Sequence, residues 1–322
     1  TAALAASEAE ARKLAQVAAQ TDNFVIIANS QGRTEWVNQS FTKFTGYTLQ
    51  DMLGRKPGEV LQGPDTNPET LRYMRECLAA GQGFQVEILN YTKAGVPYWS
   101  SLEVQPVRNE AGELVNFIGV ARDITARKRA EASMIEQSAI AALLAEITTA
   151  FAGDDDERVG FQNAAESIRR QLGVEFVRFW TVDAEGETLE MVATAGYPAD
   201  VAPAHARIPV GQTRLGLVAS TRTPFHSNNF LEDDLVRDVE FVRREQLVGC
   251  IGYPLIADDR VLGVITVASR RPISQVIFEG MARVSERIAI GLVRKRAELE
   301  MRRARDAAES ASRAKSEFLA NM

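Results

Sequence analysis

The sequence predicts an α+β fold, in which two antiparallel sheets with flanking helices are joined and flanked by long helices. Strand-forming runs bounded by Gly, Pro, Asn and Asp occur in two separate blocks of the chain. Around these blocks lie three stretches without proline, at 2–20, 127–151 and 275–322, whose Ala, Leu, Glu, Lys and Arg content is typical of long helices. Together these observations predict two small domains connected by helices.

The overall composition excludes several classes of protein. With 322 residues, of which 45% are hydrophobic and 25% charged, the chain has the length and composition of two soluble domains. Its net charge of −6 argues against nucleic acid as a partner. No apolar run approaches the ~18 residues of a membrane-spanning helix, and no targeting segment is recognisable, so we expect a cytoplasmic protein without a membrane contact in this chain. Two distant cysteines predict no disulfide framework, and two histidines with two cysteines predict no metal site.

The first segment, residues 1–21, predicts an N-terminal amphipathic helix. Its apolar stripe is weak, so the helix is expected to pack on a partner helix or on the next domain. The stripe consists of Leu4, Ala11, Leu14 and Ala18.

A first compact domain is predicted over residues 22–126. It begins with a strand hairpin that turns near Gly32, and the short helices that follow are broken by Gly46 and Gly54. A longer helix is expected over Asn67–Ala80, because proline follows its first residue and glycine follows its last. The three strands that complete the domain are expected at Phe84–Tyr91, Pro97–Pro106 and Val115–Asp123.

The linker, residues 127–152, predicts a signalling helix with two apolar stripes. One stripe is expected to dock on a domain, and it contains Ile140, Leu143 and Ile147. The other stripe is expected to meet a second chain, and it contains Met134, Ala141, Leu144 and Phe151.

A second domain is predicted over residues 135–295. Its helix Arg158–Leu172 precedes two strands, an irregular stretch, a short helix that ends near Thr221 and a charged helix at Glu232–Glu245. The strands of this domain are expected at Phe176–Val182, Thr188–Ala195, Pro224–Ser227, Val248–Leu255 and Val261–Ser269.

The C-terminal signalling helix, residues 296–322, continues a helix that begins near Gln275, and its length is typical of a coiled coil. Its apolar seam is rich in alanine, so it buries ~0.8 kcal/mol less per missing CH₂ than a leucine seam. A weak, close seam is easily rotated, which suits signal transmission between two parallel chains. The seam consists of Ala297, Met301, Ala304, Ala308, Ala311 and Phe318.

Short motifs in the two domains resemble known families. In the first domain, Trp36–Asn38, Phe44–Tyr47 and the exit Asp123–Thr125 resemble a PAS domain. In the second, Cys250–Ile256 followed by Arg260–Ile265 resembles a GAF domain. These resemblances imply a five-stranded antiparallel sheet with short helices, followed by an antiparallel sheet with flanking helices.

The last residues, Lys315–Met322, read Lys-Ser-Glu-Phe-Leu-Ala-Asn-Met and resemble the segment before the phospho-accepting histidine of sensor histidine kinases. The resemblance implies the PAS–GAF sensory region of a hybrid histidine kinase, truncated just before that histidine. It also implies a homodimer through a parallel coiled coil, with kinase domains and a response regulator or receiver domain as partners. The chain itself is expected to be no enzyme, because it contains neither a phosphate-binding loop nor a recognisable nucleophile motif.

The PAS part is similar to the flavin-binding light-oxygen-voltage subfamily, which gives an alternative function as a photoreceptor. At the position of that subfamily's photoreactive cysteine this chain has Gly58, and at its phosphate-pairing arginine it has Glu59. Glycine has no thiol to add to flavin, and a carboxylate repels a phosphate. We therefore predict no cofactor, and keep flavin as the alternative. The candidate pocket residues that the resemblance suggests are Asn38, Gln62, Asn90, Ser100 and Ala121.

Other ligands and functions find less support in the sequence. Haem is disfavoured in the PAS part, because no histidine precedes His205. A bilin is disfavoured because Cys250 lies in a strand expected to be buried, and His226 is expected to be a surface or satisfied core residue. An input module for a cyclic-dinucleotide enzyme and a plain interaction scaffold remain alternatives, although the end of the chain does not resemble the former.

Overall fold

The computed structural model describes residues 21–152, 156–196, 206–232 and 239–320. The chain divides into two compact units between Ala132 and Ser133. The expected N-terminal helix, His205, the acidic residues Asp154 and Asp155 and the middle of the expected charged helix Glu232–Glu245 lie outside the described residues.

From residue 21 onward, the first unit is a five-stranded antiparallel sheet in the order β2-β1-β5-β4-β3, with four helices between its second and third strands. Its strands are β1 Phe24–Asn29, β2 Thr34–Val37, β3 Phe84–Tyr91, β4 Pro97–Arg108 and β5 Leu114–Asp123. Its helices are α1 Gln39–Thr45, α2 Leu49–Met52, α3 Gly58–Leu61 and α4 Pro68–Ala79. The expected hairpin, the short helices and the three late strands are all present, each within a few residues of its expected bounds.

Local capping explains where these helices begin and end. Thr48 and Asp51 form a reciprocal capping box at the start of α2. The side chain of Asn67 accepts hydrogen bonds from the amides of Glu69 and Thr70 at the start of α4. Gly81, just past α4, adopts a positive φ of 65°, which suits glycine better than other residues.

One face of the first sheet carries the core. Phe24, Phe41, Met52, Leu61 and Tyr98 form one buried cluster, so α1, α2 and α3 all pack on this face. A second cluster on the same face brings α4 against the sheet, and it contains Cys77, Phe84, Val104 and Phe117. The buried positions of β4 alternate with more exposed ones, as its sequence predicts.

The second unit is a six-stranded antiparallel sheet in the order β8-β7-β6-β11-β10-β9. Its strands are β6 Phe176–Val182, β7 Thr188–Ala195, β8 Arg207–Pro209, β9 Phe225–Ser227, β10 Gly249–Ala257 and β11 Arg260–Ser269. Helix α5, Thr125–Ala150, begins in the first unit and continues into the second. The described helices after it are α6 Glu157–Leu172, α7 Arg214–Thr221, α8 Val239–Arg244 and α9 Gln275–Ala320. A short 3₁₀ turn covers Phe230–Glu232.

Helices α5 and α9 run parallel along the second unit, because successive contacts move along both in the same direction. Just before the start of α9, the hydroxyl of Ser274 donates a hydrogen bond of 2.6 Å to the carboxylate of Glu136 on α5. Further along, Ile140 fills the space beside Gly280 so closely that a Cβ added there would overlap it. The buried stripe of α5 is the one expected to dock, and it comprises Ile140, Leu143 and Ile147.

The other stripe of the linker needs a correction. Phe151 is only 2% exposed, lies in the core of the second unit and packs against Gly160 and Gly291. Leu144 is half-buried against the same core, whereas Met134 and Ala141 are exposed. The physical reason is the 3.6-residue turn, which rotates a strict heptad stripe by ~20° per heptad towards the domain.

The last helix, α9, is one uninterrupted element of 46 residues, about 69 Å long at 1.5 Å per residue. Its first half belongs to the core of the second unit through Met281, Val284, Ile288 and Leu292. Beyond Arg296 the described side chains of the expected seam are exposed, and these are Ala297, Met301, Ala304 and Ala308. The side chains of Ala311 and Phe318 lie outside the described part.

Candidate functional site

A buried polar cluster lies on the inner face of the first sheet, where β3 and β4 pair. The side-chain amide of Asn90 donates a hydrogen bond of 3.2 Å to the hydroxyl of Ser100. Asn90 also lies opposite Tyr98 in the strand register, and the two side chains interact. Burial raises the pKa of the Tyr98 phenol well above its usual range, so its hydroxyl stays a hydrogen-bond donor. The Asn90 amide and the Ser100 and Tyr98 hydroxyls are therefore uncharged groups that could hydrogen bond to a small polar ligand.

Aromatic side chains surround this polar cluster. The rings of Phe24 and Phe44 stack with centroids 4.7 Å apart, and the ring of Tyr98 meets Phe44 edge-on at 5.1 Å. Met52 and Phe41 close the same region and are at most 1% exposed. These side chains, with the exception of the partly exposed Phe44, line the interior on this face of the sheet.

Among the five candidate pocket residues, Asn38 serves the fold. Its side-chain oxygen accepts hydrogen bonds from the amides of Phe41 and Val25, at 3.0 and 3.1 Å. Its side-chain nitrogen donates to the carbonyl of Asn23 at 2.9 Å. Because these bonds go to the backbone, we assign Asn38 to the junction of β1 and α1 instead of a ligand.

Gln62 and Ala121 occupy different surroundings. The amide of Gln62 lies directly over Gly58, where a Cβ would meet it at 2.5 Å. Ala121 pairs with Phe24 on one side and with Leu102 on the other, and offers only a methyl group to the interior. The structure therefore brings Asn90 and Ser100 into contact and leaves the other three outside their polar cluster.

The residues present do not fit a flavin photoreceptor that works through a thiol adduct. Gly58 carries no thiol, and the carboxylate of Glu59 accepts a 3.4 Å hydrogen bond from the amide of Lys56 at the start of α3. Cys77 belongs to the separate cluster under α4, and Cys250 lies in the second unit. Within the first unit the one described thiol, Cys77, is thus outside the cluster that α3 packs against, so we derive no photochemical step.

A charged cluster holds the first turn of α5 on the outer face of the first sheet. The carboxylate of Glu87 on β3 forms ion pairs with Arg127 and with Lys128, each at 2.5 Å. The ammonium of Lys128 also lies 5.2 Å from the ring centre of Trp99. Hydrogen bonds from Lys128 and Arg127 lower the pKa of Glu87. The hydroxyl of Thr125 accepts a hydrogen bond of 2.9 Å from the amide of Trp99.

We call this group, Glu87 with Trp99, Thr125, Arg127 and Lys128, the exit clasp. The sequence did not predict it, because Glu87 and Arg127 are separated by 40 residues. The available signal was the pair Arg127 and Lys128, which follows the exit motif after one alanine. The clasp links the strand that carries Asn90 to the helix that leaves the unit.

The second unit has an open cleft of about 290 Å³ beside the edge strand β9, lined by Arg214, Phe225, His226, Ser227, Asn229 and Glu232. A ring nitrogen of His226 lies 3.0 Å from the carbonyl of Ile273, and its ring stacks on Phe278 at 4.9 Å. His226 is thus a satisfied, partly buried residue. Cys250 is 3% exposed within a cluster that contains Phe176 and Phe241.

Comparison with known families identifies both units. Residues 21–126 match the PAS domain family, and residues 156–292 match the GAF domain family. The chain is therefore a PAS–GAF sensory module of the kind found in signal transduction. Its mixed α+β fold, with two antiparallel sheets and a long C-terminal helix, confirms the predicted fold class.

Similar proteins include named kinases. Blue-light-activated histidine kinase 1 of Erythrobacter litoralis is 43% identical over 90 residues, which cover 28% of this chain and 25% of that protein. A blue-light-activated histidine kinase of Rhizobium johnstonii is 32% identical over 131 residues, covering 39% and 38%. An RNA-binding Light-Oxygen-Voltage receptor structure is 27% identical, covers 35% of this chain and 33% of that chain, and gives a TM-score of 0.34, too low to carry a structural argument.

These relatives are matched only in part, since the chain covers well under half of either kinase. Within the described residues, no helix is both long enough and apolar enough to cross a membrane. Over the same residues, His, Cys, Asp and Glu side chains form no cluster that could hold a metal ion.

Proposed function

We propose that this chain is the sensory region of a cytoplasmic two-component histidine kinase that works as a parallel homodimer. The observation that carries the proposal is α9, which leaves the core of the second unit and continues with an exposed, alanine-rich seam. The partial similarity to histidine kinases supports the same reading. In this proposal the kinase domains follow the seam, and a response regulator or receiver domain accepts the phosphate.

We assign one proposed role to each segment that the sequence predicts. Residues 22–126 and 135–295 sense, 127–152 transmit between them, and 296–322 pass the signal on, with 1–21 as a preceding helix. A signal at either domain changes the packing of paired helices, and the seam from Ala297 to Phe318 carries that change onward. A ligand can shift this equilibrium only by its differential affinity for the two helix arrangements.

An experiment on the seam tests the dimer. Ala304→Glu places a carboxylate in the proposed seam and should convert the dimer to monomer in sedimentation equilibrium, because two like charges would be buried together. Ser310→Glu is the matched control, since Ser310 is a small exposed residue on the opposite face of the same helix. A wild-type chain that stays monomeric at all concentrations, or an equal effect of both variants, contradicts the dimer.

A second experiment tests the kinase context. The parent polypeptide should carry a histidine within a few residues after Met322, and that longer polypeptide should label itself with phosphate from ATP. The 322-residue chain alone should not label itself. The absence of a histidine there would remove the kinase assignment while leaving the dimer untouched.

A second candidate function is flavin binding without an adduct. The similarity to proteins named blue-light-activated favours it, and the Asn90–Ser100 pair provides hydrogen-bonding groups. A visible absorbance scan of the pure protein, followed by denaturation to release any pigment, tests it. Colourless protein with no released flavin eliminates this candidate.

A further inference from the structure

The cleft beside β9 has the size of a small-molecule site. Strand β9 is the last strand of the second sheet, and three of its residues, Phe225, His226 and Ser227, line the cleft. The volume of about 290 Å³ lies at the lower end of the range that ligand pockets occupy, roughly 300–1,000 Å³. The cleft therefore suits a molecule of few atoms.

The lining of the cleft carries charges of both signs. The guanidinium of Arg214, at the start of α7, lies 5.7 Å from the ring centre of Phe225 and is held over that aromatic face. The carboxylate of Glu232 belongs to the 3₁₀ turn and is exposed. A ligand that is only an anion would be repelled by Glu232, and one that is only a cation would be repelled by Arg214. A molecule that carries both charges is attracted by both residues.

Neutral groups in the lining add further hydrogen-bonding capacity. The ring nitrogen Nε2 of His226 lies 3.0 Å from the carbonyl of Ile273, and a carbonyl oxygen can only accept, so Nε2 carries the hydrogen. In the neutral ring Nδ1 is then an acceptor. The exposed side chain of Asn229 provides both an amide donor and a carbonyl acceptor.

We propose that this cleft binds a free amino acid, whose carboxylate pairs with Arg214 and whose ammonium pairs with Glu232 and His226. Hydrogen bonds between charged groups are about twice as strong as those between neutral groups, so the two ends of the ligand supply most of the recognition. The inference deepens the proposed sensory function, and the transmission described next rests on that function.

The cleft is connected directly to the start of α9. The ring of His226 stacks on that of Phe278, with centroids 4.9 Å apart and planes 18° from parallel. The carbonyl of Ile273, two residues before α9 begins, accepts hydrogen bonds of 3.0 Å from His226 and from the side-chain amide of Asn228. The amide of Ile273 donates a hydrogen bond of 2.7 Å back to Asn228. A ligand on His226 therefore acts through one side chain on the first turn of the helix that carries the proposed seam.

Isothermal titration calorimetry of the full chain tests the ligand class, with the protein amino acids added one at a time. At least one should bind. The carboxylic acid that lacks its amino group, and the amine that lacks its carboxylate, should each bind about tenfold or more weakly, because each leaves one charged residue of the cleft without its partner on the ligand. Absence of binding by every amino acid, or an analogue that binds as tightly, overturns the proposal.

Two variants test the residues. Arg214→Gln and Glu232→Gln should each weaken binding of that amino acid about tenfold or more, since each removes one charge-assisted contact. Arg222→Gln is the matched control, because Arg222 ends α7 and donates a hydrogen bond of 2.6 Å to Asp259 outside the cleft. Glu232 is exposed, so its variant keeps the fold even if Arg214→Gln does not. Unchanged affinity in Glu232→Gln contradicts the site.

Hydrogen exchange tests the transmission. At saturating ligand, amide exchange over residues 275–279 should slow about threefold or more, because the ligand stabilises the turn that His226 contacts, while exchange in α4 of the first unit should not change. Binding without a change at 275–279 would overturn transmission through His226. A parent polypeptide without a histidine after Met322 would remove the kinase assignment and leave both of these results intact, so the two failures are distinguishable.

Discussion

At the scale of single residues, polar side chains bonded to the backbone set the geometry of the first unit. Asn38 is 1% exposed and bonds three backbone groups that belong to the approach to β1, to β1 itself and to α1. A buried amide in this position cannot be replaced without leaving backbone groups unsatisfied. The motif Trp36–Asn38, which suggested the family, is therefore a structural junction.

Replacement of Asn38 by alanine should lower the free energy of unfolding of the first unit by about 2–4 kcal/mol. The helix cap is lost, and the backbone amides that Asn38 accepts from are left without a hydrogen-bond partner. Urea unfolding followed by hydrogen exchange of the strand amides would measure it. Asn67→Ala is the control, because Asn67 caps α4 at an exposed site and should cost only about 1 kcal/mol. Equal losses in the two variants would contradict the structural role of Asn38.

Asp51 gives a prediction about pH. Hydrogen bonds from Lys93, and then from the Thr48 amide and hydroxyl, lower the pKa of Asp51 from 3.8 to about 2. A carboxyl with a lowered folded pKa stabilises the fold above its unfolded pKa, and this contribution is lost as the pH falls through the folded pKa. The stability difference between wild type and Asp51→Asn should thus be full above about pH 5 and shrink towards pH 2. A difference that stays constant over this range would show that Asp51 acts only through packing.

At the scale of elements, the exit clasp connects β3 to α5. The strand that carries Asn90 on its inner face carries Glu87 on its outer face, three residues away. A change at Asn90 that shifts β3 along its length would also move the carboxylate that holds Arg127 and Lys128. The clasp thus connects the strand that carries Asn90 directly to the helix that leaves the unit.

Glu87→Gln should weaken the clasp, because a neutral amide pairs less strongly with two cations. Amide hydrogen exchange over the first turns of α5 should then become a few-fold faster. Glu103→Gln is the control, since Glu103 is exposed on the neighbouring strand and its carboxylate accepts a hydrogen bond from the side-chain amide of Gln105 instead. Unchanged exchange in Glu87→Gln would mean that Thr125 and the backbone alone hold the helix.

Most elements could be predicted because turns are encoded locally. The β10–β11 hairpin turns through Asp258 and Asp259, both at positive φ, as a two-residue loop requires. The exit clasp could not be predicted, because its partners are far apart in sequence. The position of Leu144 and Phe151 could not be predicted either, since a heptad stripe drifts around a helix of 3.6 residues per turn and the pattern does not show where it reaches the domain.

At the scale of the whole molecule, the surfaces of the long helices could be predicted from the sequence more completely than the polar contact inside the first unit. Asn90 and Ser100 were both predicted as pocket residues, and their side chains are hydrogen-bonded to each other. This contact could not be predicted, because it depends on the register between β3 and β4. The helical surfaces followed from composition alone, and Met134 and Met301 are 72% and 66% exposed in the single chain.

The continuity of α9 has a consequence for thermodynamic measurements. The same helix that completes the second core through Leu292 carries the proposed pairing surface from Ala297 onward. Pairing that stabilises the helix would by mass action also stabilise the core it belongs to. The melting temperature of the second unit should then climb with protein concentration, and Ala304→Glu should remove that dependence, so that no single melting temperature describes the wild-type molecule.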